Sequence, residues 1–223
     1  MNALAGALLL VGAEVASLVT TGSHVAGARL VGGVLGVTDW GVAFAGVAEG
    51  LAAFGERRRA LTPEEYAWAG RVFAGTLPPR ERLVVTDTIG AGERPFTFPR
   101  LDGTITLNLG PEGFADPRRD IFGSGAARGE TFVHELAHAW QVAHHSPELV
   151  LLAGGVACRL RELVGVDPYV YSPGRAFGEY TLEQQAQIVS DWFGRHHRRL
   201  RSATARRDPR YRYIEGNIRR GRR

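Results

Sequence analysis

The segment Thr131–Gln141 reads TFVHELAHAWQ and carries two histidines and a glutamate in the spacing HExxH. On an α-helix His134 and His138 lie about 40° apart around the axis and about 6 Å apart along it, so both imidazoles can reach one ion. Glu135 lies about 100° from His134 and can flank that ion without binding it. Such a set supplies a Lewis acid and a base together. Zinc lowers the pKa of a bound water to about 7, and a neighbouring carboxylate takes the proton as the water attacks a carbonyl. With the His and Glu content of this chain, the string arises by chance in about 1–2% of shuffled sequences, so the motif needs a further ligand to carry weight. Phe132, Val133, Leu136 and Trp140 already provide an apolar face, which leaves the histidines without a packing role.

A catalytic zinc takes three protein ligands, and three residues compete for the third place. His144 matches the HExxHxxGxxH spacing of the metzincins, but Gln141 stands at the glycine position and the sole methionine, Met1, cannot form the methionine turn of that pattern. Glu183, in YTLEQQAQIVSDWF, is the better candidate. Thr181 can cap a helix on which Glu183, Ala186, Gln187, Ser190 and Asp191 share a face through three- and four-residue spacing, with the small Ala186 allowing close approach to the HExxH helix. A glutamate presented from a second, downstream helix is the gluzincin arrangement. Asp191, about 80° around from Glu183, is expected to orient a ligating histidine from behind. Glu179 is a rival carboxylate, less rigidly placed beside Gly178 and ahead of the cap. The competing reading of Glu183 is an exposed first-turn glutamate favoured by the helix dipole.

These residues need a frame. Thr62, Pro63 and Glu65 signal a helix start running to about Phe73. RLVVTDTI, PFTF and TITLNL read as three short strands between Gly and Pro punctuation. In TITLNL the alternation predicts Ile105, Leu107 and Leu109 in the core and Thr104, Thr106 and Asn108 exposed, with the exposed side open to a substrate added as a further strand. FADPRRDIFGSGAARGE reads as a loop, and helices are expected over about 128–143, 147–164 and 181–200. The expected class is α+β, with a small, mostly antiparallel sheet, the HExxH helix and a second ligand-bearing helix.

The two ends differ from the middle. Residues 1–55 are rich in Ala, Gly, Val and Leu, with Gly32/Gly36 and Gly46/Gly50 at the spacing that lets helices approach closely, and read as an apolar helical hairpin. Glu14 and Asp39 interrupt its halves at about 2.5 to 3.5 kcal/mol each in a bilayer centre, so membrane contact and a soluble hairpin are balanced. From Arg195 onward twelve arginines face only Asp208 and Glu215, a local charge of about +10 within an overall +4. Residues 201–223 therefore read as a basic, solvated tail, and 56–200 as the main domain. Nucleic acid is not an expected partner, because no nucleic-acid motif accompanies the arginines. Cys158 is the sole cysteine, so no intramolecular disulfide forms, and it reads as a buried thiol. The compartment stays open. Tyr169, Tyr171 and Tyr180 are candidate donors to a developing oxyanion, while His145, His196 and His197 read as surface histidines.

LTPEEYAWAGRVF, TFVHELAHAWQ, FGEYTLEQQAQIVSDWF and PRYRYIEGNIRRG, in this order, resemble bacterial zincin-like domains described as Vgr-related and similar to the HExxH domains of contractile-injection-system clusters. The resemblance spans about residues 60–220 and excludes 1–55. It implies a zincin fold with His134, His138 and Glu183 as zinc ligands and Glu135 as base. The expected function is a zinc-dependent metallopeptidase acting on a peptide or protein, with a secretion-apparatus protein as a candidate partner. Two other classes remain: a zinc-stabilised docking module without turnover, and a membrane-acting toxin that depends on residues 1–55.

Overall fold

Thr62 opens the first helix, α1 (Pro63–Phe73), through the expected reciprocal cap: its hydroxyl accepts the Glu65 N–H at 3.1 Å, and the Glu65 carboxylate accepts the Thr62 N–H at 2.8 Å. The computed structural model describes residues 57–89, 94–100, 102–121, 127–144 and 167–222. The hairpin expected over 1–55, the helix expected over 147–164, Cys158 and His145 lie outside those residues. Among the described residues no helix is long and apolar enough to cross a membrane.

The architecture is α+β around a mixed four-stranded sheet. Its strands are β1 (Arg58–Ala60), β2 (Leu83–Thr86), β3 (Phe96–Pro99) and β4 (Ile105–Asn108), in the order β1-β2-β4-β3. The β1–β2 and β3–β4 pairs are antiparallel and β2–β4 is parallel. Three strands fall where the sequence places them. The fourth, β1, is the charged triplet RRA, which carries no alternation to announce it. Arg59 there grips the Glu65 carboxylate through two hydrogen bonds of 2.8 Å, tying β1 to the start of α1.

The expectation for TITLNL is corrected on its polar side. Because β4 lies between β2 and β3, both its edges are paired, and Thr106 and Asn108 are buried rather than exposed. Their polar groups are satisfied within the sheet: Thr106 Oγ1 donates to Phe98 O at 3.1 Å, Asn108 Nδ2 to Phe96 O at 3.0 Å, and Thr86 Oγ1 to Asn108 Oδ1 at 2.8 Å. An added strand cannot pair with β4. Among the described residues the outer strand on this side is β3.

Register puts Val85, Leu107 and Thr97 on one face, the face that meets helix α3 (Glu130–His144). Gly129 leads the chain into α3 at φ 81°, where an added Cβ would lie 2.5 Å from the Trp68 ring. On its other side α3 packs along α4 (Leu182–His196). Phe132, Val133, Leu136 and Trp140 are fully buried, as the periodicity requires, and meet Ala186, Ile188, Val189 and Trp192 in one core. Each large apolar side chain contributes about 1.5–3 kcal/mol by leaving water. A short helix, α2 (Gly110–Ala115), takes Phe114 and Ala115 from the stretch expected to be loop.

Residues 201–222 are not a solvated tail. They form α5 (Ala203–Arg207), α6 (Tyr211–Gly216) and a 3₁₀ turn (Ile218–Arg220), and they bury Ala205, Tyr213, Ile214 and Ile218. The Trp192 indole N–H donates to Ala205 O at 3.0 Å, and that of Trp140 to Ile218 O at 3.2 Å and Thr76 Oγ1 at 3.1 Å. Helices α3 and α4 therefore each have a buried tryptophan satisfied by the C-terminal segment. Leaving such a donor unpaired costs about 1–3 kcal/mol.

Candidate metal centre

Helix α3 brings His134 and His138 together by its own periodicity, and the first turn of α4 brings Glu183 to them. Thr181 holds that turn: its hydroxyl accepts the Gln184 N–H at 3.3 Å, and Gln184 Oε1 accepts the Thr181 N–H at 3.1 Å. His134 Nε2 and His138 Nε2 lie 3.2 Å apart, and each is 3.4 Å from Glu183 Oε2. A tetrahedral zinc with bonds of about 2.0–2.1 Å holds its ligand atoms about 3.3–3.4 Å from one another. The triangle of ligand atoms therefore has the dimensions that zinc requires.

The protonation pattern points the same way. His138 Nδ1 lies 2.8 Å from Gln141 Oε1, and His134 Nδ1 lies 3.5 Å from Ser190 Oγ, whose hydroxyl also reaches Gln187 O at 3.2 Å. With Nδ1 engaged on the far side of each ring, both Nε2 atoms and the Glu183 carboxylate converge as acceptors. Three acceptors at this separation repel unless a cation sits among them, either a metal or a proton. In the metal-free chain it is a proton: burial disfavours charge on His138, but the adjacent Glu183 carboxylate outweighs that and raises its pKa to about 9. Burial likewise opposes ionisation of Glu183, and His138 and His134 overcome it, holding the carboxyl well below the usual range.

Glu135 is buried, 4% exposed, beside this cluster and outside it. Its Oε2 accepts the hydroxyl proton of Thr97 at 2.8 Å, a proton shared with Glu135 O at 3.0 Å. The edge strand β3 thus holds the carboxylate from the sheet side. Thr97 is absent from any local motif, since it lies on a separate strand, and no spacing rule would find it.

The other candidates go elsewhere. Asp191 does not touch a histidine: it accepts Tyr171 OH at 2.6 Å and Gln187 Nε2 at 2.6 Å, and Arg210 lies 3.6 Å away. The groups behind the histidines are instead Gln141 and Ser190. Ser190 shares the predicted face of α4, and Gln141 follows His138 by three residues, so helical spacing was available as a signal for both. His144 stacks on Trp140 with ring centroids 4.4 Å apart, its Nδ1 2.8 Å from Trp140 O, away from the ligand triangle. Glu179 caps its own turn by accepting the Ala176 N–H at 3.3 Å. His196, expected at the surface, is half-buried against Asp208 at 3.0 Å. Of the three tyrosines, Tyr171 is bonded to Asp191, and Tyr180 to Ser172 O at 2.8 Å. The Tyr169 ring stands edge-on to His134, centroids 5.9 Å apart.

Comparison with known proteins yields a partial likeness. A stretch of 64 residues, 28% of the chain, is 41% identical to the type VI secretion system spike protein VgrG2b of Pseudomonas aeruginosa. It covers 6% of that protein's length. No family model matches the chain, and no solved structure matches it. What the chain is similar to is therefore a small part of a secretion-system spike protein.

Proposed function

We propose that the chain is a zinc-dependent metallopeptidase of the gluzincin kind on a zincin-like fold, associated with a type VI secretion apparatus. The observation that carries this reading is the convergence of His134, His138 and Glu183 at zinc spacing with the Glu135 carboxylate held alongside by Thr97. When bound, zinc supplies a Lewis acid and a water of lowered pKa. His134, His138 and Glu183 would hold it. Glu135 would accept a proton on its carboxylate, and Thr97 holds that carboxylate in place through its hydroxyl. An extended peptide is the substrate class, since β3, whose Thr97 touches Glu135, is the outer strand and can accept a further strand by backbone pairing.

The test is cleavage of an unbiased peptide library by the wild type and Glu135→Gln at matched zinc occupancy. Glu135→Gln keeps the side-chain shape and removes the charge, so zinc content should be unchanged while turnover falls about 10²- to 10⁴-fold. The likeness to VgrG2b favours a second reading, a zinc-stabilised module that docks on a secretion spike. Full zinc occupancy with no cleavage by either protein would select it.

A further inference from the structure

Gln141 and Gln185 are among the most buried polar side chains of the described residues, 1% and 3% exposed, and both lie where α3 meets α4. A buried amide is tolerated only when its donors and acceptor are matched. Here they are, in one direction. Gln141 Nε2 lies 2.9 Å from Leu182 O, a backbone carbonyl that can only accept, so this end of the amide must be the NH₂. Gln141 Oε1 then faces His138 Nδ1 at 2.8 Å and can only accept from it. The second N–H of Gln141 reaches Gln185 Oε1 at 3.2 Å, and Gln185 Nε2 donates to Tyr180 O at 3.0 Å and Phe177 O at 3.3 Å. Both N–H bonds of each amide are used. Reversing either amide would set a lone pair against a backbone carbonyl.

We propose that Gln141 and Gln185 form a buried relay that locks His138 as its Nδ1–H tautomer and pre-sets the distance between the two ligand helices before metal arrives. The inference rests on the metal-site reading above. The relay is anchored on Leu182, the residue before the third ligand, and on Phe177 and Tyr180 of the turn that leads into α4. A lone pair on His138 Nε2 is thereby aimed at the position that Glu183 also faces. The seat of His134 is of another kind. Ser190 Oγ is 3.5 Å from Nδ1 and gives its own proton to Gln187 O at 3.2 Å, so it accepts from the ring through a single long contact and holds it weakly. Gln141, the residue that breaks the metzincin pattern at its glycine position, is a positioning residue for His138.

Two measurements on the full chain test this. The first is ¹⁵N NMR of His138 in metal-free wild type, followed upward in pH until the ring is neutral and its shifts report the tautomer directly. The Nδ1–H form is expected, and an Nε2–H ring would overturn the relay whether or not the chain binds zinc or cleaves peptides. The second is zinc affinity by chelator competition for wild type, Gln141→Leu and Gln141→Glu, with folding followed by circular dichroism. Gln141→Leu removes the acceptor at near-equal volume and should weaken zinc about 10- to 100-fold. Gln141→Glu keeps an acceptor for His138 and turns lone pairs on Leu182 O and Gln185 Oε1, so it should also lose affinity. A folded Gln141→Leu or Gln141→Glu that binds zinc within twofold of wild type overturns the proposal. A wild type with His138 in the Nδ1–H form that binds no zinc would instead remove the metal reading and leave the relay standing.

Discussion

The two walls of the candidate site are built from different parts of the chain and hold different chemistry. On the sheet side, Thr97 of β3 grips the Glu135 carboxylate, so the proposed base is held by a strand. On the helix side, α4 supplies Glu183 as the candidate third ligand, Ser190 behind His134 and Gln185 at the end of the hydrogen-bonded amide pair behind His138. Helix α3 lies between and contributes to both. On the proposed function, metal retention and proton transfer answer to different elements, and substitutions on one wall should spare the property of the other.

The largest effect should come from Glu183→Ala, which deletes one of three ligands and should release most of the zinc, with turnover falling in parallel. Metal content of the purified chain measures it. Full zinc in Glu183→Ala together with loss of zinc in His144→Ala would dismantle the helix-side wall as described.

Next in size is the pH response of the same wall. Zinc must displace the proton from His138, so affinity should fall about tenfold for each pH unit below about 9 and level off above it. The metal-free fold follows the opposite course. A histidine raised from 6.5 to about 9 by folding stabilises the native state fully below 6.5, and that contribution is lost as pH rises through 9. Denaturation of the metal-free chain should thus become easier between those values, while the zinc-loaded chain stays level. A flat affinity profile would separate His138 from the metal.

On the sheet side, Thr97→Val keeps the shape and removes the hydrogen bond to a charged acceptor, which is worth about 1.5–3 kcal/mol. Turnover should drop about tenfold or more with zinc affinity unchanged. Equal losses of both would mean the two walls are not separable. The smallest effect belongs to Ser190→Ala. The 3.5 Å contact it removes is weak, so zinc affinity should change by about two- to threefold. A loss as large as that of Gln141→Leu would erase the difference between the two histidine seats.

The histidine pair of the candidate metal site was legible because its geometry is local: four residues along a helix bring His134 and His138 to one point. The Thr181 cap locates Glu183 in a first turn, but the packing of α4 on α3 decides that this turn meets the histidines. Asp191 shows the limit of that reasoning. It shares a face with Glu183 by spacing, yet where a carboxylate on that face ends depends on its partners, here Tyr171 and Arg210. The cap, the three strands and the apolar face of α3 were equally readable, since each is a pattern within a few residues. Its three-residue spacing placed Gln141 beside His138, but its orientation was not readable, because that needs Leu182 and Gln185 from a second helix.

Helix spacing, capping and alternation were set by the sequence itself, because these follow from backbone geometry and act over one or two turns. Tertiary structure decided the rest. It placed β4 between two strands, so that a polar face with the alternation of a surface strand became a buried, internally bonded one. It also turned an arginine-rich end into part of the core: Ala205, Tyr213, Ile214 and Ile218 are spaced among arginines most of which are exposed, and packing against α1, α3 and α4 decides where those four are buried. The same segment satisfies Trp140 and Trp192, one on each ligand helix. Charge can be counted along a chain, but whether the apolar residues between the charges find a surface to cover depends on elements far away in sequence.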